Sequence, residues 1–327
     1  MPKIAVVIPC YKVREKILSV IEKIPDMVSE IIVIDDHCPD LSGAHVRDSI
    51  YGKRVKLIFH KENMGVGGAV ISGYHFAIEN ECEIVIKVDG DGQMNPTLIP
   101  LLLEPILSGK ADYVKGNRFY SIESIRTMPK IRVFGNILLS FINKFSSGYW
   151  SIMDPTNGFT AIHIDALKLI PLNKLHKRFF FESDLLFRLY TVNAKVVDVF
   201  MEAIYEDEKS NLQIRKILFP YIIGHATNFS KRIVYTYLLR DFNFASLCLT
   251  LSIPLLLSGF LFGFYQWFLG ISNQIPSTAG AVMITALLLI TGFQLLLSFF
   301  NYDVLNYPGE SLQSKRFGVM KRNDGDS

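Results

Sequence analysis

Short apolar segments alternate with amphipathic ones over the first 120 residues of the chain. Four runs rich in β-branched residues predict strands at 4–8, 30–34, 55–59 and 83–88. Helical patterns separate them, at 13–24, around Arg47 and at 67–80. Continuous apolar strands are typical of a parallel sheet buried on both faces, and their alternation with helices predicts a doubly wound, mostly parallel α/β sheet. Ligands of such sheets bind outside the carboxyl ends of the strands, so we expect the functional site there.

The pattern is less regular between residues 121 and 210. An apolar helix is predicted at 134–145, a turn at 154–159 and the start of another helix at 179–186. Residues 212–240 then mix apolar with basic side chains, which predicts amphipathic helices on an anionic membrane surface. An ordinary pair of solvated helices is the alternative for this stretch.

The segment from Phe242 to Tyr302 contains no acidic residue, lysine, arginine or histidine. Two apolar stretches within it exceed the ~20 residues that cross a bilayer. Basic residues flank the pair on both sides but are absent from the link between them, so the positive-inside rule places both flanks in the cytoplasm. The predicted organisation is a globular domain at 1–210, basic juxtamembrane helices at 211–241, two transmembrane helices (244–269 and 279–300) within 242–302, and a cytoplasmic tail at 303–327.

Composition changes this picture mainly by what it excludes. The chain has 327 residues, with 34 Lys and Arg against 31 Asp and Glu, and its net charge of +3 is too small to indicate nucleic-acid binding. The four cysteines are scattered without metal-ligand spacing, which predicts free thiols and no zinc site. The two predicted spans carry no charged residue for an ion pathway, which favours an anchor over a transporter.

Acidic side chains stand at the ends of two predicted strands. Asp35 and Asp36 end the second strand, and Asp89 and Asp91 follow the fourth. Carboxylates at i and i+2 can share a divalent cation, and Mg²⁺ typically combines one or two carboxylates with substrate phosphates. A pair of turn caps is the alternative for Asp89 and Asp91. Their place at the carboxyl edge of the sheet favours the metal site.

A second acidic pair, Glu182 and Asp184, lies at the start of the predicted helix at 179–186. One interpretation makes it an acceptor-side base or a partner for Arg118. The other makes it a helix-start cap, because acidic residues complement the helix dipole there. The sequence leaves both open.

Seven short motifs follow one another in the order found in inverting family 2 glycosyltransferases with a GT-A fold. They are VVIPCY at 6–11, IDD at 34–36, NMG at 63–65, DGDGQ at 89–93, GNRF at 116–119, DPTNGF at 154–159 and EKS at 208–210. The set resembles the dolichol-phosphate mannose synthase-like branch, including bacterial polyprenyl-phosphate glucosyltransferases with two C-terminal transmembrane helices. The resemblance covers about residues 3–240 by motif and the remainder by architecture.

The resemblance implies roles on the nucleotide-sugar side of the site. The nucleotide base and ribose would be held by Pro9, Tyr11, Asp35 and Asp36. Asp89 and Asp91 would flank the diphosphate, with at least Asp91 on Mg²⁺ or Mn²⁺, and Gln93 would line the sugar-phosphate side.

On the acceptor side, Arg118, Arg132 and Lys209 would face the lipid phosphate or the donor diphosphate, and Asp154 would lie beside the reacting centre. A lipid monophosphate has a second pKa near ~6 and is mostly dianionic at neutral pH, so it needs little help from a base. We therefore expect Asp154 to orient the site more than to accept a proton.

The implied activity is transfer of one sugar, with inversion, from a nucleotide-sugar to undecaprenyl or dolichyl phosphate at the cytoplasmic face of the cell inner or plasma membrane. UDP-glucose is the expected donor on architecture alone; GDP-mannose and UDP-N-acetylhexosamine are alternatives. Two departures from the mannose synthases, Val13 and Ala203 in place of their Glu and Arg, argue against a strict mannose preference. The resemblance also implies a homo-oligomer, a tetramer. A non-catalytic membrane scaffold with a GT-A fold is the alternative of another class.

Overall fold

The computed structural model of the chain describes residues 2–119, 130–201 and 214–315, with side chains described in these ranges except at 130–132 and 214–218. Arg132 therefore has a described backbone only, and Lys209 lies outside the described residues. The chain divides into two compact units, one made of Met1–Phe229 with Pro308–Ser327 and the other of Ser230–Tyr307.

Within the described residues, seven strands of the first unit form one sheet. The strands are β1 (Ile4–Cys10), β2 (Glu30–Asp35), β3 (Val55–Phe59), β4 (Ile84–Lys87), β5 (Tyr113–Asn117), β6 (Thr160–His163) and β7 (Val196–Phe200). Their order in the sheet is β3-β2-β1-β4-β6-β5-β7. Strand β6 runs antiparallel to β4 and β5, and the other four pairings are parallel. The mostly parallel sheet predicted from the sequence is confirmed.

The helices of the first unit connect these strands. They are α1 (Ile17–Glu22), α2 (Ser42–Arg47), α3 (Val66–Glu79), α4 (Ile99–Leu107), α5 (Lys130–Ser147), α6 (Ile164–Leu169) and α7 (Phe181–Thr191). Helix α8 (Ile214–Ile233) follows, and the second unit contains the π-helical segment Val234–Arg240, α9 (Phe244–Asn273) and α10 (Ala279–Leu305).

Apolar side chains cover both faces of the sheet. Val7 of β1 belongs to a core cluster with residues of α3, α6 and α7, whereas its neighbours Val6 and Ile8 belong to a second cluster with residues of α1 and α4. Alternate residues of a strand point to opposite faces, so β1 is buried between two helical layers. Gly73 lets α3 approach the sheet closely, because a Cβ there would collide with Val7.

The residues after α10 return to the first unit. The backbone N–H of Leu312 donates to both carboxylate oxygens of the buried Asp112, at 3.0 and 2.9 Å, and the same carboxylate accepts from Lys195 N at 2.8 Å. Asp112 precedes β5 and Lys195 precedes β7, so one carboxylate joins two strand starts to residues 308–315.

Helices α9 and α10 are long and apolar enough to cross a membrane, with 30 and 27 residues and mean hydropathies of 2.1 and 2.2 over their most apolar windows. The predicted spans at 244–269 and 279–300 lie inside them. A buried ion pair within this unit joins Arg232 to Asp303, with Nη2 3.0 Å from Oδ2, and Tyr237 OH donates to Asp303 Oδ1 at 2.7 Å.

Candidate active site

Asp89 and Asp91 lie in the loop that follows β4, at the carboxyl end of the strand. Both side chains are partly exposed. Asp91 Oδ1 accepts a hydrogen bond from Gln93 N at 3.0 Å, and Gly92 between them has a φ of 76°, a backbone conformation that glycine adopts without strain. The loop therefore places two carboxylates at the edge where the fold predicts a ligand.

A buried lysine, Lys87, fixes the first of these carboxylates. Its Nζ lies 2.9 Å from Asp89 Oδ1 and 3.0 Å from Glu182 Oε1, so it joins the end of β4 to the first turn of α7. Burial alone would lower the pKa of Lys87, but the two carboxylates outweigh burial and raise it. Lys87 is thus a fully charged ammonium in the interior, placed two residues before Asp89.

The donor set fits a Mg²⁺ or Mn²⁺ ion that is shared with a substrate. Among the residues that the structure describes, no three His, Cys, Asp or Glu side chains converge to hold a metal ion. Asp89 and Asp91 would supply one or two hard oxygen ligands, and substrate phosphate oxygens and water would supply the others. This is the usual arrangement for Mg²⁺ in sites that bind nucleotides.

Asp154 and Arg118 form a second charged pair nearby in the fold. Arg118 donates from Nε to Asp154 Oδ2 at 2.6 Å and from Nη2 to Oδ1 at 2.7 Å, a bidentate geometry. Asp154 is buried and has a φ of 50°, an uncommon backbone conformation for a residue other than glycine. Burial would raise the pKa of Asp154, but Arg118, with help from Lys115, holds it below its ordinary value.

The turn that follows Asp154 brings this pair to the carboxylates after β4. A Cβ on Gly158 would collide with Lys87 Nζ and Asp89 Oδ2, so only glycine permits the approach. On the other side of the turn, Asn157 donates from Nδ2 to Gly116 O at 2.8 Å. The motifs at 89–93, 116–119 and 154–159, which are far apart in the sequence, therefore meet at one place.

Two further charged side chains, Lys115 and Asp198, lie beneath this meeting point. Lys115 Nζ donates to Asn157 O at 2.8 Å, and burial lowers its pKa to about 8. Asp198 Oδ2 accepts from Met153 N at 2.8 Å, which braces the residue before Asp154, and burial raises the pKa of Asp198 to about 6. The sequence motifs do not include Lys115, Asp198 or Lys87. The sequence signal for each of them is a charged residue inside an otherwise apolar strand.

Asp35 and Asp36 lie at the end of β2, and both carboxylates are buried and bonded to backbone amides. Asp35 accepts from Cys38 N at 2.7 Å and from the N–H of a glycine in α2, and Asp36 accepts from Met64 N and Gly65 N at 2.8 and 2.7 Å. They shape the loops at this edge of the sheet. Their contacts with a nucleotide stay a prediction.

Pro9 lies in β1 opposite Ile34 of β2, and Tyr11, which follows the strand, is exposed at the same edge. Both positions suit the predicted contact with a nucleotide base. That role, like the roles predicted for Gln93, Arg132 and Lys209, stays a prediction.

The acidic pair at the start of α7 separates into two different roles. Glu182 pairs with Lys87, and Arg118 pairs with Asp154. Asp184 is a structural anchor, because its carboxylate accepts from His176 N at 3.0 Å, Arg188 Nε at 3.1 Å and Asn228 Nδ2 at 3.1 Å.

The raised pKa of Asp198 predicts a pH-dependent stability. The folded chain holds a proton on Asp198 up to about pH 6, whereas the ordinary carboxyl pKa is 3.8. The group's contribution to stability is therefore present at low pH and is lost as the pH rises through 6. Asp198→Asn removes this loss, so we expect its melting temperature to exceed that of the wild type by a margin that widens from pH 4 to pH 7. A constant margin for Asp198→Asn would contradict the assignment.

Comparison with known proteins places this site in a family. The chain is 29% identical, over 54% of its length and 75% of the relative's, to a UDP-N-acetylglucosamine–dolichyl-phosphate N-acetylglucosaminyltransferase of Methanococcus voltae. It is 27% identical to an undecaprenyl-phosphate mannosyltransferase of Micrococcus luteus, over 60% of this chain and 82% of the other.

Solved structures confirm the fold. Glucosyl-3-phosphoglycerate synthase of Mycobacterium tuberculosis, in complex with Mn²⁺, uridine diphosphate and glucosyl-3-phosphoglycerate, aligns with a TM-score of 0.53 at 19% identity, over 70% of this chain and 80% of that one. The model for glycosyl transferase family 2 matches residues 5–170. With this match over half of its length, and with the charged site that the fold assembles, the chain belongs to glycosyl transferase family 2 and is a glycosyltransferase.

Proposed function

We propose that the protein transfers one sugar, with inversion at C1, from a nucleotide-sugar to a polyprenyl phosphate at the cytoplasmic face of a membrane. The observation that carries this proposal is the meeting of two charged groups at the carboxyl edge of the sheet. Asp89 and Asp91 provide carboxylates that suit a divalent cation bound to the donor diphosphate. Beside them, Asp154 holds the guanidinium of Arg118 in a fixed position.

The donor side of the reaction needs stabilisation of a leaving diphosphate. A divalent cation, when bound, supplies positive charge to the diphosphate as the C1–O bond breaks. Asp91 is the residue proposed to hold the cation, because its partner Asp89 already contacts the ammonium of Lys87 at 2.9 Å. Lys87 and Glu182 keep Asp89 in one orientation, so the site does not reorganise when charge develops.

The acceptor side needs orientation more than proton transfer. Asp154 has a pKa below its ordinary value and both of its oxygens are bonded to Arg118, so it is ionised throughout the physiological range. The acceptor phosphate is already a nucleophilic dianion above pH ~6. We therefore assign to Asp154 the role of holding the Arg118 guanidinium in place, where its planar fork suits phosphate oxygens.

Several nucleotide-sugars are compatible with this site. UDP-glucose is the donor expected from architecture, whereas the names of the two relatives point to N-acetylglucosamine and mannose. We propose that the donor is UDP-glucose, UDP-N-acetylglucosamine or GDP-mannose. We also propose that the protein is a homo-oligomer in the membrane.

Two structural features support the membrane location. Helices α9 and α10 have the length and composition of transmembrane helices. The residues before this pair, up to Phe229, and those after it, from Pro308, belong to the same compact unit. This supports a hairpin with both ends on one side, which the positive-inside rule assigns to the cytoplasm.

A thermal-shift experiment tests the donor site. Purified full-length protein is heated with each of the three nucleotide-sugars, with and without Mn²⁺. We expect one of them to raise the melting temperature only when Mn²⁺ is present, since a ligand at ~100 times its dissociation constant adds about 2.7 kcal/mol. The matched control is Asp91→Asn, which should lose the shift. A protein that responds to no nucleotide-sugar would favour a non-catalytic scaffold.

Asp154→Asn tests the proposed role on the acceptor side. We expect turnover to fall because Arg118 loses its anchor, while the pH–rate profile keeps an acid limb near ~6 that belongs to the lipid phosphate. The measurement is turnover against pH at saturating donor and acceptor. Loss of the acid limb in Asp154→Asn would show that Asp154 is a titrating base.

The pKa of Asp198 is about 6, the pH at which the acid limb of the lipid phosphate is expected. The pH–rate profile of Asp198→Asn is therefore measured as well. If Asp198→Asn alone shifts the acid limb, the limb reports this buried carboxyl group instead of the phosphate.

A further inference from the structure

Helix α5 exposes an apolar face to the outside of the globular unit. Phe134, Ile137, Leu138 and Phe141 are exposed by 69%, 53%, 49% and 54%, respectively. Their spacing of three, four and seven residues places them along one face of the helix. Single exposed apolar residues are ordinary, but a contiguous stripe of four large ones marks an interaction surface.

The opposite face of α5 is buried and carries four polar residues beside the half-buried Leu139. Its buried residues are Ser140, Asn143, Ser146 and Ser147. Ser146 Oγ lies 2.7 Å from Nδ1 of the buried His225 in α8, and burial lowers the pKa of His225 to about 4, so this imidazole is neutral. The helix therefore has its polar side toward the protein and its apolar side outward, the reverse of a helix that faces water.

Helix α8, which packs against the end of α5, has a similar outer surface. The rings of Phe145 and Phe229 lie 6.3 Å apart, and α8 exposes Phe219, Ile222 and Ile223. The chain continues from α8 through the π-helical segment into the apolar helix α9. The apolar face of α5 thus adjoins a helix that leads directly to a candidate span.

The charges of α5 and α8 indicate what covers this surface. Neither helix contains an aspartate or a glutamate. Apart from Arg232, which is buried in its ion pair with Asp303, their charged residues are Lys130, Arg132, Lys144, Arg215, Lys216 and Lys231. Basic residues combined with a Phe-, Leu- and Ile-rich face, without acidic residues, are typical of helices that lie in the interface of an anionic bilayer.

We propose that the apolar face of α5 inserts into the interfacial region of an anionic lipid bilayer, so that the globular unit itself, and not only the hairpin, contacts the membrane. This inference rests on the proposed function only for its biological use. A globular unit that lies on the bilayer meets the phosphate group of a polyprenyl phosphate whose hydrocarbon chain stays in the lipid. Contact between two copies of the protein is the competing explanation of the same surface.

The test places a fluorescent label on the stripe of the full-length protein. Ile137→Cys and the control Ile50→Cys are labelled with an environment-sensitive dye in nanodiscs of phosphatidylglycerol and phosphatidylcholine that contain doxyl-labelled lipid. The four native cysteines are buried, so the dye reports the introduced thiol. Ile50 is 88% exposed in a loop of the same unit, which makes the two positions chemically matched.

We expect the dye at position 137 to emit at shorter wavelength and to be quenched by the doxyl lipid, while the dye at position 50 is unaffected. Equal behaviour of the two positions would overturn the proposal. A blue-shifted signal at 137 without lipid quenching, together with a disulfide between two copies of unlabelled Ile137→Cys, would also overturn it in favour of a contact between copies.

A second measurement connects the surface to the acceptor. The variant F134S/F141S should lose activity several-fold on a long-chain polyprenyl phosphate in vesicles and keep its activity on a short, water-soluble prenyl phosphate. Equal loss on both acceptors would contradict a role in membrane contact. If the wild type transferred no sugar at all, the proposed function would fail while the quenching result would still decide the membrane contact.

Discussion

We expect Asp91→Asn to lower turnover by on the order of 10²- to 10³-fold, the usual effect of removing one group that stabilises charge in a transition state. The substitution keeps the shape of the side chain and can keep the hydrogen bond from Gln93 N. It removes the negative charge of the carboxylate that we propose binds the metal ion. The fold should not change, because the Asp91 side chain lies partly exposed in a loop and outside both core clusters.

The measurement is transfer of labelled sugar against Mn²⁺ concentration, with melting temperature and membrane fractionation as controls of folding. Asp26→Asn, at a fully exposed position of the same unit, controls for the loss of one carboxylate. Near-normal turnover of Asp91→Asn at saturating Mn²⁺ would contradict the proposal that Asp91 binds the metal ion.

Lys87→Met should produce the largest loss of stability among single substitutions near the site. It leaves the Asp89 and Glu182 carboxylates close together with no cation between them, and removing one partner of a buried ion pair costs about 3–5 kcal/mol. Part of that loss should return in the double variant Lys87→Met/Glu182→Gln, because one of the two uncompensated charges is then gone.

Chemical unfolding of the purified variants checks this expectation. Lys110→Met is the matched control, since Lys110 also pairs with a glutamate, Glu104, but both side chains are exposed. Exposed pairs contribute about 0–1 kcal/mol, so this variant should remain close to the wild type. A loss of stability in Lys87→Met as small as that of Lys110→Met would show that the buried ammonium is not needed.

The first half of the sheet was predictable from the sequence because its strands are continuous and apolar. Strands β1 to β4 lie where the runs at 4–8, 30–34, 55–59 and 83–88 predict them. The apolar pattern does not predict β5 and β7, because Lys115 and Asp198 interrupt it, and β6 has only four residues. Both interrupting charges lie beneath the turn that holds Asp154.

The candidate site also has features that the local sequence pattern predicts and features that it does not. The sequence places Asp36 and Asp89 at the edge of the sheet but does not determine what their oxygens contact. Asp36 binds the amides of Met64 and Gly65, which lie in a distant loop, and Asp89 meets Lys87 and Gly158. Contacts between residues far apart in the chain depend on packing of the whole unit, which local periodicity does not record.

The orientation of α5 is a further property that local pattern could not provide. Its apolar periodicity predicts a helix at 134–145, and the structure has one at Lys130–Ser147. Periodicity identifies an apolar face without saying whether protein or lipid covers it. The burial of Ser140 and Asn143 on the opposite side shows only that the apolar face is the exposed one.

The central claim, that this site moves a sugar onto a lipid phosphate, is tested most directly by the reaction itself. Wild-type protein and Asp91→Asn are incubated in vesicles with Mn²⁺, polyprenyl phosphate and each radiolabelled nucleotide-sugar, and the lipid phase is extracted. Our account predicts a labelled, mild-acid-labile polyprenyl-phosphate sugar from one of the donors with the wild type, and almost none with the variant. Label that never enters the lipid phase, or enters it equally with both proteins, would contradict the account.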